Sequence, residues 1–196
     1  YRFLHDRVRQ AAYSLIPPNQ LKEIHLKIGR LLLAEAGDTV PDQLLFDITN
    51  HLNYGKTLIT EKSEKLKLVK LNLAAGKKAK SALAFEPALS FFNSGIDLLE
   101  AGSWDSEYSI CLDLYIESSE TAYLSTDFVL TEKLANEALR HAKSLLDRVR
   151  VYDVRMQSLY AQNRMKEVID QGLRVLKLLG HRFPRNPGQR IHVQSP

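Results

Sequence analysis

A single cysteine, Cys111, stands among 196 residues. That excludes an intramolecular disulfide and every zinc pattern built on several thiolates, and it predicts a reducing, cytoplasmic setting. Long apolar runs are missing. The longest are of the order of Leu31-Leu32-Leu33-Ala34, far short of the ~20 residues a bilayer-spanning helix needs, so no membrane segment is expected. Six histidines, at 5, 25, 51, 141, 181 and 192, include no pair four residues apart, so no helix carries two imidazoles for one metal. Nine glycines and seven prolines are too few for a collagenous or low-complexity chain. Charge is nearly balanced, with 27 Lys and Arg against 23 Asp and Glu. A net charge of +4 permits nucleic-acid contact without arguing for it. The chain opens on Tyr1, and Arg2, His5, Asp6 and Arg7 break any signal-peptide core. It reads as a piece of a longer polypeptide.

What is present almost from end to end is apolar spacing at helical period, with no alternation long enough for a strand. Leu21, Ile24, Ile28, Leu31 and Leu32 make one face of a helix over 19–36, ended by Gly37. Pro41 and Asp42 open a second helix, through Leu44, Leu45, Ile48 and Leu52, that stops near Gly55. A long helix over 61–83 carries Leu66, Val69, Leu73, Gly76, Ala79 and Leu83 on one face. Pro87 sits where a first turn tolerates it, and the next helix runs over 88–101. Four further helices follow: Tyr108 to Ala122, then Leu134 through Ala142 and Leu146, then Val151 to Leu159, then Val168 to Leu179. From Gly180 the periodicity is lost.

Helices this regular, paired across short turns, predict repeats. Gly76, Ala88, Phe92 and Gly95 place small residues where two helices approach and an aromatic one turn after the alanine, which is the tetratricopeptide pattern. The register returns as Ser119, Thr131, Ala135 and Ala138, and more faintly as Met156, Val168, Gly172 and Val175. Spacings of 43 and 37 between Ala88, Thr131 and Val168 make the repeats degenerate against a period of about 34. The predicted fold class is all-α, a right-handed stack of antiparallel helix pairs forming a degenerate tetratricopeptide-like α-solenoid. An irregular helical bundle is the alternative. In the repeat register Gly76 and Ala88 face each other across their helix pair.

Residues able to do chemistry are scattered. Gly55-Lys56-Thr57 ends like a phosphate-binding loop, but Asn50 stands where that loop needs glycine, and helix precedes it instead of a strand. Cys111 falls on the apolar side of its helix, as a small buried thiol. Asp97, Glu100, Asp105 and Glu107 cluster at a helix end, where capping and solvation account for them. Ser118 and Ser119 lack a nucleophile elbow. Eight lysines and two glutamates between Lys56 and Lys80 read as a solvated helix face, without the interleaved arginines and aromatics of a nucleic-acid groove.

The N-terminal run His5-Asp6-Arg7-Val8-Arg9-Gln10-Ala11-Ala12-Tyr13-Ser14-Leu15-Ile16, followed by Ile24-His25-Leu26-Lys27-Ile28-Gly29-Arg30-Leu31-Leu32, resembles one family. These are large multidomain bacterial proteins, common in cyanobacteria, that join a serine/threonine kinase, a STAND-class ATPase, a helical repeat region, a GAF sensor and a histidine kinase. The resemblance continues through Phe46 to Asn53, Ala88 to Ile96 and Val175 to Gly180, and ends at about Pro187. It implies a layout of winged-helix end and junction helices over 1–36, a helical repeat region over 37–180, and an irregular tail or truncated connection over 181–196. In STAND proteins a Met-His-Asp-like motif sets its histidine against the phosphate of bound ADP. Leu4-His5-Asp6 matches it with Leu4 for Met, so the resemblance makes His5 a candidate ADP-phosphate sensor in the longer protein only. The kinase lobes, phosphate loop and phosphoacceptor region of the family are absent from this sequence.

Together these readings predict a non-catalytic helical module for signal relay and protein interaction, with no catalytic residue, metal or cofactor of its own. ATP or ADP and Mg belong to the longer protein the resemblance implies. The expected partners are proteins or neighbouring domains of the same polypeptide. The competing reading is a nucleic-acid-binding helical domain using the lysine-rich helix over 56–80.

Overall fold

A computed structural model describes residues 17–37 and 40–181. The winged-helix remnant, His5 and all of the tail beyond His181 lie outside the described residues. Helix α1 (Pro18–Ala36) starts on Pro18, whose fixed φ and missing N–H suit a first turn, and ends at Gly37 with φ 72°. Helix α2 (Leu45–Tyr54) starts four residues later than the sequence suggests. Pro41 first closes a turn, its carbonyl accepting from Leu44 N–H at 2.9 Å. A 3₁₀ turn (Lys56–Leu58) leads to α3 (Lys62–Ser81) and α4 (Phe85–Asp97). The one-turn helix α5 (Ser103–Ser106) precedes α6 (Tyr108–Leu124), α7 (Phe128–His141), α8 (Leu145–Ala161) and α9 (Met165–Leu178). Among the described residues there is no strand.

One turn ends α3, α6, α8 and α9, the last at Gly180 with φ 87° and the His181 N–H on the Leu176 carbonyl at 2.9 Å. Leu83, Thr126 and Asn163 sit in the left-handed region at φ 60°, 64° and 59°. The residue after each donates its N–H to the carbonyl five positions back, Ala84 to Ala79 at 3.0 Å, Asp127 to Ala122 at 2.9 Å and Arg164 to Leu159 at 3.0 Å. This satisfies carbonyls orphaned at the helix end. A connection of three residues makes the flanking helices antiparallel neighbours, giving the pairs α3/α4, α6/α7 and α8/α9. A fourth pair, α1/α2, is joined by a longer link.

Packing runs along the chain. Each helix packs on its pair-mate, and α2 packs on α3, α4 on α6 and α7 on α8. Three small cores follow in order. Leu26, Ile48, Leu52 and Leu68 form the first, Val69, Ala75, Ala88, Phe92 and Leu114 the second, and Leu112, Ile116, Ala135, Val151 and Val154 the third. Asn72, fully buried, ties α3 to α2 by exchanging amide hydrogen bonds with Asn53 at 2.7 and 2.9 Å. Among the described residues no helix is long and apolar enough to cross a membrane.

Two expectations about faces and ends are corrected. The buried side of α3 is Leu68, Val69, Asn72, Ala75, Gly76 and Ala79, while Leu66 and Leu73 are half-buried. Leu83 is 76% exposed, having left the helix for the turn. Leu146 belongs to α8, not to the helix of Leu134. Ser144 and Asp147 form a reciprocal capping box that ends one helix and starts the next.

Candidate functional site

The first helices of the four pairs, α1, α3, α6 and α8, are linked by side chains that cross from one to the next. Arg30 of α1 forms a two-pronged bond with Glu64 of α3, at 2.7 and 2.8 Å. Lys77 of α3 approaches Asp113 and Glu117 of α6 at 3.8 and 3.5 Å, and Lys80 bonds Glu117 and Glu120 at 2.5 and 2.7 Å. Arg150 of α8 reaches back to Asp113 at 2.7 Å, and Tyr123 donates to Gln157 at 2.7 Å. The electrostatics follow these bonds. The Arg30 hydrogen bond holds the Glu64 carboxyl below its usual pKa. Burial works against the Lys80 charge, yet the hydrogen bonds and charges of Glu117 and Glu120 outweigh it and raise its pKa. Between α1 and α3 the Arg30–Glu64 bridge borders an open groove of about 970 Å³. Its floor includes Leu33, Val40, Leu45 and Leu71, and Lys67 and Lys70 stand on its rim.

The lysine-rich segment is largely neutralised from within. Besides Lys77 and Lys80, Lys56 pairs with Asp97 at 2.9 Å, Lys65 with Glu100 at 2.7 Å and Lys78 with Asp42 at 3.2 Å. Five of its eight lysines therefore face carboxylates from other elements. Gly55 caps α2 at φ −97° and lies against Leu26 and the Lys22 carbonyl, so Gly55-Lys56-Thr57 forms no phosphate cradle.

Most of the residues predicted to pack in the repeats are buried. Ala88, Phe92, Thr131, Ala135 and Ala138 are fully buried, Gly95 is buried, and Val168 and Gly172 are half-buried. The atoms a Cβ on Gly76 would meet first belong to the Phe92 ring, one turn beyond Ala88. A Cβ on Gly95 would stand 3.0 Å from Leu114 and 3.3 Å from Asn72, so Gly95 lets α4 approach both α6 and α3. In the next pair the register residues touch, with the Ser119 hydroxyl donating to the Thr131 carbonyl at 3.0 Å. Gly172 is looser, 3.7 Å from Met156 Sδ.

Two contacts had no signal in sequence spacing. His25 and His51, 26 residues apart, bring their Nδ1 atoms to 3.0 Å, and Tyr54 stacks on His25 with centroids 4.2 Å apart. Burial, and then the neighbouring His51, lower the His25 pKa. Trp104 of α5 stacks on His141 at 4.3 Å and an interplanar angle of 6°, closing the third core. Among the described residues no three metal-binding side chains converge. Cys111 is buried, and burial with the charge of Glu107 pushes its thiol up to about 11, which leaves it inert as a nucleophile at neutral pH.

No family model and no solved structure matches the chain. It is similar to a hybrid signal transduction histidine kinase G of Dictyostelium discoideum, 29% identical over 204 residues. The match takes in 92% of this chain and 6% of that protein, so the chain spans a small part of the relative. The chain, helical and without a strand among its described residues, is thus similar to part of a signalling protein.

Proposed function

We propose that the chain is a non-catalytic relay and protein-interaction module, a tetratricopeptide-like stack of helix pairs within a multidomain signalling protein. The observation that carries this reading is the recurrence of one turn, at Leu83, Thr126 and Asn163, each five residues ahead of Ala88, Thr131 and Val168. One turn at one register position repeats a structural unit whose neighbours stack to bury their cores. The bridged face of α1, α3, α6 and α8 is then continuous, and a partner seated on it biases how the pairs lean on one another. Similarity to a segment of a histidine kinase supports the signalling context. The partner is a protein or a neighbouring domain of the same polypeptide.

Internal pairing of five lysines weighs against the nucleic-acid reading, because a phosphate backbone would have to displace carboxylates already in place. Duplex and single-stranded DNA titrated at low salt should show no salt-sensitive binding, and binding that falls steeply with salt would restore that alternative. Lysine cross-linking with mass spectrometry, on the longest natural polypeptide that contains the chain, tests the interaction reading. Lys67 and Lys70 on the groove rim should link to residues outside the chain or to a co-purifying protein. Links confined to the chain itself contradict the proposal, as does ATP hydrolysis by the purified chain.

A further inference from the structure

The lysines of the 56–80 segment are neutralised unevenly. Five of the eight meet carboxylates from other elements, and Lys62, Lys67 and Lys70 form no ion pair among the described residues. Lys67 and Lys70 are exposed and stand one turn apart on the rim of the groove between α1 and α3. The other charges at this rim are already matched. Arg30 is bound to Glu64 and Asp42 to Lys78, and Lys67 only adds its field to the Glu64 carboxyl that Arg30 holds. The rim is therefore left with the two positive charges of Lys67 and Lys70. Beneath it the floor is apolar, with Leu33, Val40, Leu45 and Leu71, and no aromatic residue is among the described residues that line it. Ala34 and Ala74, both exposed, keep the walls low enough for a second backbone to come down between them.

We propose that this groove seats an acidic amphipathic helix of a protein partner, apolar along one stripe and carrying carboxylates one turn apart beside it. The inference deepens the interaction reading above and rests on it for the partner being a protein. The groove selects the form of its guest. A peptide added as a strand needs a free sheet edge, and no strand exists among the described residues. A polyproline segment or a single-stranded nucleic acid needs aromatic platforms, which this lining lacks. What remains is a helix laid in a groove, its residues at i, i+3 or i+4 and i+7 reaching the leucines and Val40 of the floor. The α3 wall from Ser63 to Ala74 is about 16 Å long, room for about three turns of such a helix. The two lysines select its charge. Lying three residues apart, they face carboxylates at i and i+3 or i+4 of the guest, whereas a basic helix would meet like charges on the rim.

Random peptides displayed on phage, long enough to cover the groove and selected against the full chain, test it. The winners should carry apolar residues at helical spacing with Asp or Glu alongside, and the best of them, made as a synthetic peptide, should gain helical circular dichroism on binding. Lys67→Glu and Lys70→Glu should each weaken it about tenfold or more, and a peptide with its carboxylates exchanged for lysines should bind the double variant instead. Ala74→Phe fills the groove from an exposed position, so it should abolish binding while the chain keeps its helical circular dichroism. Winners that are basic, neutral or proline-rich overturn the proposal, as does binding indifferent to Ala74→Phe or a selection that yields no winner. The interaction reading fails separately. Cross-links from Lys67 and Lys70 to a partner, with no acidic preference in the selection, would keep that reading and overturn the acidic helix. Acidic winners beside cross-links confined to the chain would keep the preference of the groove and contradict the interaction reading.

Discussion

Gly76 carries the tightest crossing of the second core, and its neighbour decides what substitution costs. A methyl group there would run into the Phe92 ring, which is fully buried and has nowhere to retreat. Gly76→Ala should therefore destabilise the chain by about 1 to 3 kcal/mol, the usual range for overpacking, despite the helix propensity gained. Ala88→Leu falls in the same class, since Ala88 has no exposed surface. Ser90→Leu, on the exposed side of α4, should move a urea melt little. The His25–His51 contact predicts a pH dependence. Burial, and then the neighbouring His51, hold the folded-state pKa of His25 below its ordinary value of 6.5. As pH falls below 6.5 the unfolded chain takes up that proton first, so stability should decline from neutrality toward the lowered folded pKa. Carboxylates such as Glu64, held below 4.5, contribute their own loss only in more acid solution. Urea melts at pH of about 7 and about 5.5 should show the decline, and His25→Gln should flatten it. A slope unchanged in that variant would remove His25 as its source.

Helix ends were legible where they carry a local signal and illegible where they do not. Gly37 and Gly55 mark their ends in the sequence because a left-handed cap or a close approach needs those residues, whereas α4 spans Phe85–Asp97 and not the predicted 88–101, with Pro87 inside its first turn. The break between α7 and α8 is different. Ala142 and Leu146 keep helical spacing across it, and only Ser144 with Asp147 announces the new start. Ser144→Ala should thus cost about 1 kcal/mol, as loss of an N-cap typically does. The turns give a prediction of opposite sign. Leu83 and Thr126 hold φ near +60° without being glycine, a conformation that costs L-residues about 1 to 2 kcal/mol. Leu83→Gly and Thr126→Gly should each raise the melting midpoint, and a fall in both would mean the left-handed turn is not the native one. Ala88, Ala135 and Ala138 were legible as buried positions because each falls on the apolar side of its own helix. The bridges from Arg30 to Glu64 and from Lys80 to Glu117 were not, since partners 34 and 37 residues apart meet only once the pairs are stacked.

Three small cores in succession, each built from consecutive elements, give a molecule whose stability is a sum of local terms and contacts between neighbours. In the proposed relay, a load on one pair would pass to the next through the bridges between first helices, while distant pairs share no core. Hydrogen exchange read by mass spectrometry tests this most directly, comparing the native chain with Val154→Ala. The substitution removes two methyl groups from the third core, where Val154 is 4% exposed. A stack predicts that α8 and α9 lose protection first and most, α6 and α7 less, while α1 to α4 exchange as in the native chain. A uniform loss of protection across all of these helices, as in a bundle built around one core, would contradict the account.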